Sequence, residues 1–341
     1  MKRSTALKLT AALLAVFVLL TALAACNRTA KAEYFDIFGT SAYIEVYDAD
    51  DAKSVEAEMR RIETLCSVNV EGSDIYRINA AHAGESVKVD TVTMYLLQKA
   101  MTVFELTEGC YDPSVYPLVE LWGFAAGEFL PGTPPEGGIP SQDEIDAALA
   151  LVGFDRAFSL DPNDLTVTKL IEGAKLDLGG IAKGYAAQLA LRVRFDICNV
   201  GGNISVGKEK AVIGVPAPRE TETGSASWLF SFNADYGACI STSGDYERYY
   251  IVDGVRYHHI IDPHTGYPAS SGTASVTVVS KDGAFADAFA TAAIVGGADK
   301  ADDWRWLANN RYEGIEDFAL ISVSDENEVS AHGTITITYS V

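Results

Sequence analysis

Two oxygen-bearing side chains, Asp287 and Thr291, interrupt the small apolar stretch GAFADAFATAAIVGG between Gly283 and Gly297. Their i, i+4 spacing puts both on one face of a helix. A carboxylate in so apolar a helix is costly unless something compensates it. A carboxylate with a hydroxyl offers two hard oxygen ligands, which suits Mg2+ with phosphate as co-ligand. Taken alone, the pair reads more simply as an Asp–Thr hydrogen bond or a contact with the helix N-terminus.

Three other stretches carry residues of chemical interest. In KLDLGGIAKGYAAQLA, Lys175 to Ala190, a strand is expected to end at Leu178 and a helix to start near Ala182. The glycines between them let backbone groups approach a ligand, and the helix N-terminus favours phosphate. Lys183 falls in the first turn, where a cation is unfavourable unless it meets an anion. The pattern is neither GxGxxG nor GxxxxGK[ST], and a tight strand–helix turn explains it as well. The segment Ser241 to Ala269 holds three of the five histidines. Within it, YYIVDGVRYHHII reads as a hairpin closed at Asp253-Gly254, and DPHTG as a turn. Alternation sends His258 and His259 to opposite faces, so only one can look into a given cleft. For each, a histidine satisfied within a sheet is the alternative. Finally, GCYDPSVYPLVELWGF, Gly109 to Phe124, starts a turn at Asp112-Pro113 and continues as an aromatic strip. That strip reads either as core or as the wall of a flat-ring pocket.

The elements that must position these residues follow from periodicity. FDIFGTSAYIEVYDAD alternates and reads as a first strand. AKSVEAEMRRIETLCSV and TMYLLQKAMTVFELTEG predict amphipathic helices, the second stopped by Gly109. AAGEFLPGTPPEGGIPSQDE is a Gly/Pro-rich surface loop, after which Ser141 and Glu144 form a capping box. From Phe158 the chain turns β-rich, with LTVTKL, AKLDLGG, AVIGV, SWLFSFN, YGACIST, RYYIVDG, ASVTVVS and GTITITYSV. The helices IAKGYAAQLALRV and Gly283 to Gly297 interrupt it. This order predicts an α+β fold with largely antiparallel sheets, not a doubly wound nucleotide fold.

Bulk properties narrow the ligand classes. The 341 residues are 48% hydrophobic, ample for a sizeable core. The formal net charge of −21 repels nucleic acid and anionic headgroups, so no nucleic-acid partner is expected. An anionic ligand therefore needs a local device: backbone N–H groups, a lysine or a metal. At the N-terminus, Lys2, Arg3 and Lys8 precede an apolar run ending in LAAC. Residues 1–25 read as a secretory signal peptide, with Cys26 in the place of a lipobox cysteine; an uncleaved membrane helix is the alternative. Cys66, Cys110, Cys198 and Cys239 show no CxxC or zinc spacing, and both free thiols and disulfides stay open.

Together, IFGTSAYIEV, GCYDPSVYPLVELWGF, LDLGGIAKGYAAQLA, NVGGNI, TSGDYERYY, HHIIDPHTGYPA and SVTVVSKDGAFADAFATAAIVGG resemble, in order, the ApbE-type flavin transferases. The resemblance implies one T-fold-like catalytic domain over 33–341, behind a lipidated tether at 26–32. It implies Mg2+-dependent cleavage of FAD, attachment of FMN through a phosphoester to a threonine of a partner protein, and release of AMP. Mn2+ accepts the same oxygen ligands. Asp287 and Thr291 match metal-ligand positions, with Gly180 supplying a backbone carbonyl. Asp177, Lys183, Cys110, Tyr111, Asp112, Ile261 and Phe38 match FAD-contacting positions, although many members have methionine where Phe38 stands. His259 matches the histidine assigned to proton transfer, with Asp262 as its orienter. CSVNVEGSDIYRINAAHAGE resembles a further family segment, in which the place of Asn69 influences how FAD is used. The resemblance also implies lipidation at Cys26, an extracytoplasmic position on the bacterial cell membrane, and an exported redox protein as acceptor. Alternatives are a metal-dependent FAD pyrophosphatase using water, and a non-catalytic FAD-binding lipoprotein.

Overall fold

The computed structural model describes residues 29–125, 129–219, 228–312, 315 and 317–339. Residues 1–25, expected as a signal peptide, and Cys26 lie outside the described residues. The frame is an eight-stranded sheet whose spatial order equals its chain order. Its strands are β1 (Lys31–Ile37), β2 (Thr40–Val46), β3 (Phe195–Val200), β4 (Asn203–Val206), β5 (Cys239–Gly244), β6 (Thr273–Ser280), β7 (Ala319–Ser324) and β8 (Val329–His332). Every pairing is antiparallel, as expected.

Five longer helices accompany it: α1 (Ala49–Cys66), α2 (Thr91–Leu106), α3 (Gly179–Gln188), α4 (Gly283–Gly296) and α5 (Ala298–Arg311). They pack on one face and enclose the main apolar core with Ala42, Ile44, Val276 and Val278 of the sheet. The opposite face is covered by a smaller sheet of Lys210–Val215, Phe230–Asp235 and Ile337–Tyr339. Period-two alternation sorts the two faces, since successive strand residues point to opposite sides. In the central strands the helix-facing positions are polar. Register pairs Asn203 with Ser241 and Ser205 with Cys239, and Ser243 follows on the same side. Small hydroxyl and amide groups thus lie under helices that elsewhere meet aliphatic side chains. Among the described residues, no helix is long and apolar enough to cross a membrane.

Several expectations hold in detail. Ser141 and Glu144 form the capping box. Asp253-Gly254 closes its hairpin with φ of 51° and 80°. Of the two states open to the cysteines, the structure shows one: Cys66, Cys110, Cys198 and Cys239 are buried free thiols. Others need correction. FDIFGTSAYIEVYDAD is a hairpin, not one strand. It turns at Phe38-Gly39, with φ of 52° and 67° and Ile37 paired to Thr40. The sequence signal was weak because phenylalanine rarely takes a left-handed conformation. Here its N–H donates to Glu63 Oε1 at 2.7 Å. AKLDLGG forms only a single bridge, Lys175 to Val115, because Leu176 is paired instead with an asparagine side chain. Within the described part of GTITITYSV the strand is Ile337–Tyr339.

Candidate active site

Helices α3 and α4 cross at two glycines. A Cβ on Gly184 would lie 2.0 Å from Gly283 O and 2.7 Å from Asp287 Cβ. A Cβ on Gly283 would lie 2.2 Å from Gly184 O. Only glycine permits this approach, and it brings the Gly184 N–H to Asp287 Oδ2 at 3.0 Å. From the sheet below, Ser241 Oγ donates to Asp287 Oδ1 at 3.2 Å. These two bonds compensate the carboxylate, which is 4% exposed. A carboxylate has about four lone-pair sites, so acceptor capacity remains. One turn on, Thr291 Oγ1 donates to Asp287 O at 3.3 Å and lies 3.4 Å from Ser243 Oγ. Gly180 completes the cluster, since its Cβ position is 3.5 Å from Thr291 Oγ1 and 3.4 Å from Tyr111 Cε2. Gly180 thus lies beside Thr291, one helical turn from Asp287; these are the three positions that the resemblance implies for a metal ion.

Helix α3 begins at Gly179, earlier than expected, so Lys183 sits in its second turn rather than its first. Its ammonium donates to Gly179 O. The preceding residues are fastened from two sides. Asn79 accepts from Leu176 N–H at 2.7 Å and donates to Leu176 O at 2.9 Å. Asp177 N–H donates to Pro113 O at 2.8 Å. The Asp177 carboxylate accepts from Gly179 N–H at 2.7 Å. Desolvation raises its pKa above the ordinary value, against the Gly179 bond and the charges of Lys183 and Arg248.

The two histidines divide as alternation requires. His258 is buried, with Nε2 2.8 Å from Ala269 O and Nδ1 accepting from Ile260 N–H at 3.3 Å. It is a satisfied structural residue. His259 faces the other way, with a buried Nδ1 that has no hydrogen-bond partner. Desolvation first, then His258, Arg248 and Lys183, lower its pKa to about 3. It is neutral at pH 7 and can accept a proton.

The expected Asp262–His259 pair does not form. Asp262 Oδ1 accepts from His264 N–H at 2.9 Å and lies 3.1 Å from His264 Nδ1. Asp262 Oδ2 accepts from Thr265 Oγ1 at 3.0 Å. The carboxylate thus organises its own turn, as aspartate before such turns commonly does. His264 Nε2 in turn lies 3.0 Å from Glu108 O, tying the turn to the loop before Cys110.

The remaining expected contacts are mixed. Asp112 accepts from Ser114 N–H at 2.7 Å, Ser114 Oγ at 2.6 Å and Phe154 N–H at 3.2 Å, so its carboxylate is committed to the turn. Ile261 packs with Leu118, Trp122, Phe124 and Tyr250, which makes the aromatic strip core rather than a pocket wall. Cys110 is buried, and desolvation pushes its thiol up to about 11. Phe38 is half-buried at the hairpin tip, and its side chain packs against the main core. Asp74 is a structural hub, accepting from Arg77, from Asp90 N–H at 2.7 Å and from Thr93 Oγ1 at 2.6 Å. Tyr111 differs from these. Its hydroxyl is buried without a partner, and desolvation, then Asp287 and Asp177, raise its pKa well above the ordinary value.

Among the described residues, Tyr111 Oη, His259 Nδ1 and Asn203 Oδ1 are buried polar atoms without partners; Tyr111 adjoins Gly180, Asn203 is paired with Ser241, and His259 feels Lys183 and Arg248. Native interiors leave few such groups, and each costs about 1–3 kcal/mol, so they fit a site that a ligand completes. Among the described residues there is no cluster of three or more His, Cys, Asp or Glu able to hold a metal. A cation would rest on one carboxylate, one hydroxyl and backbone oxygen. That donor set fits a hard ion with phosphate co-ligands, not zinc. Ser241, Ser243 and Arg248 were not picked out from sequence. Alternation through YGACISTSG could have placed the two serines on one face, but not named their partner on α4.

The ApbE family model matches residues 38–318. The FAD:protein FMN transferase of Rhodobacter capsulatus is 32% identical over 316 residues, covering 88% of this chain and 56% of that protein. The FAD:protein FMN transferase of Vibrio cholerae is 31% identical over 297 residues, covering 82% and 85%. Among solved structures, the ApbE protein of Thermotoga maritima superposes with a TM-score of 0.75 at 34% identity, covering 88% of this chain and 96% of that one. Flavin transferase ApbE from Vibrio cholerae gives 0.70 at 26% identity, covering 89% and 97%.

Proposed function

The chain belongs to the ApbE family, and from that premise we propose that it is an FAD:protein FMN transferase. The observation that carries the reading is the Asp287 carboxylate held at the helix crossing, with Gly180 against Thr291 and Tyr111, and with Lys183 and Arg248 acting on His259. The two cations suit a diphosphate in a chain that is otherwise strongly acidic.

In the proposed reaction a threonine hydroxyl of the acceptor protein attacks the FMN phosphorus of FAD. A new P–O bond forms, the diphosphate P–O bond breaks, and AMP leaves. Asp287 and Thr291, with the Gly180 carbonyl, would hold Mg2+, or Mn2+ in its place. When bound there, the ion supplies charge neutralisation for the diphosphate and the departing AMP. His259 takes the threonine proton. Its low pKa in the free protein arises partly from Arg248 and Lys183, so an anion between them raises it towards a useful range. Tyr111 offers a hydroxyl to the same ligand. Asp262 holds the turn after His259 in place without touching its ring.

The lipobox-like LAAC supports cleavage before Cys26 and lipid anchoring on the outer side of the bacterial cell membrane. The acceptor is then an exported protein, and a redox carrier is the class that uses covalent FMN. The test is chromatography of FAD incubated with protein and Mg2+, with and without an acceptor domain. Acceptor-dependent AMP without equal free FMN supports transfer. AMP and free FMN in equal amounts without acceptor would make it a pyrophosphatase. Bound, intact FAD would make it a carrier.

A further inference from the structure

The motif NVGGNI is not yet accounted for by the site. Gly201-Gly202, with φ of 53° and 89°, turns β3 into β4 and delivers Asn203 to the helix-facing side of the sheet. Its register partner on β5 is Ser241, the residue that donates to Asp287. Directly opposed residues of antiparallel strands hold their Cβ atoms about 4.5–5.5 Å apart. The Asn203 carboxamide therefore lies beside the hydroxyl that steadies the Asp287 carboxylate.

Two other asparagines show what a structural amide does here. Asn199 accepts from Gly202 N–H at 3.0 Å and fixes the turn. Asn79 uses both ends of its amide on Leu176, at 2.7 and 2.9 Å. Asn203 does neither. It is 2% exposed, and its buried Oδ1 has no hydrogen-bond partner among the described residues. A buried amide oxygen left so costs about 1–3 kcal/mol. No hydrogen bond of the local turn engages that oxygen.

We propose that Asn203 is a positioning residue for the cation of the Asp287–Thr291 site, holding a water of that cation's coordination shell. The inference rests on the cation reading above. Mg2+ and Mn2+ at such sites keep several waters, and the groups that bond those waters tune affinity. An amide serves without adding charge.

The test uses Mn2+ alone as probe, with the whole mature chain and no FAD, reading free Mn2+ by electron paramagnetic resonance. Asn203→Leu keeps the branched shape of the side chain and removes its polar ends. It should weaken Mn2+ binding about tenfold or more. Its metal-free melting temperature should stay level or rise, because an unsatisfied polar group has been replaced by an apolar one of similar shape. Asn203→Asp restores an acceptor oxygen and should recover the affinity. Wild-type Mn2+ affinity in Asn203→Leu would overturn the inference and leave the Asp287 assignment standing. A metal-free Asn203→Leu that is destabilised or fails to fold would also overturn it, since a structural bond would then exist. No Mn2+ binding by the wild type would overturn both.

Discussion

Gly184→Ala asks whether the crossing of α3 and α4 sets the site. The added Cβ would stand 2.0 Å from Gly283 O and 2.7 Å from Asp287 Cβ. Ordinary contact for a Cβ begins near 3.4 Å, so the helices must part by more than an ångström. Both near atoms belong to backbone or to the root of a side chain and cannot swing away. Gly184 lies inside a helix, where alanine is intrinsically better by about 1 kcal/mol. Against that, overpacking costs about 1–3 kcal/mol. Parting the helices also stretches the Gly184 bond to the Asp287 carboxylate, and a hydrogen bond to a charged group is worth about 1.5–3 kcal/mol. The net loss is about 2–5 kcal/mol, a melting-temperature drop of about 3–7 °C for a chain of this length. Thermal unfolding without metal, followed by Mn2+ titration, reads both consequences: a lower midpoint and weaker binding. A Gly184→Ala protein with wild-type midpoint and wild-type Mn2+ affinity would refute the close crossing as the determinant of the site.

Other outcomes follow from the same geometry. Asp287→Ala should abolish Mn2+ binding and metal-dependent AMP release while circular dichroism stays native; turnover at the wild-type rate would remove Asp287 from the metal site. His259 has its pKa lowered from 6.5 to about 3, so its neutral form contributes stability that is complete above about pH 6.5 and is lost as pH falls towards 3. Allowing for partial solvent screening, wild type should lose about 1–2 kcal/mol more than His259→Gln between pH 8 and pH 5, measured by urea unfolding; parallel pH curves would contradict the desolvated neutral imidazole. Asp262→Asn should lower stability by about 1–2 kcal/mol through its turn but leave the pH–rate profile of AMP release in place. A shifted profile would restore Asp262 as the orienter of His259.

Local chemistry was the legible part of this chain. Asp287 and Thr291 could be paired from sequence because a helix brings i and i+4 together wherever it is. The Ser141–Glu144 cap and the Asp253-Gly254 turn are likewise complete within a few residues. The strand alternation that separated His258 from His259 survived for the same reason. Long-range partners were hidden. Nothing in GGIAKGYAA says that Gly184 must meet Gly283, since the clash exists only once two distant helices cross. Asp262 looked like a partner for His259 by proximity along the chain, but the Asp-Pro turn took its carboxylate first. Phe38-Gly39 escaped notice because Glu63, on another element, bonds the N–H of a residue type that seldom takes that conformation.

The most direct measurement is the intact mass of an acceptor domain, bearing a single candidate threonine, after incubation with this protein, FAD and Mg2+. Transfer predicts a mass increase equal to one FMN joined with loss of water, mapped to that threonine. The increase should be absent when the threonine is alanine or Asp287 is replaced by alanine. An unmodified acceptor in a mixture that has nonetheless released AMP would contradict transfer to protein.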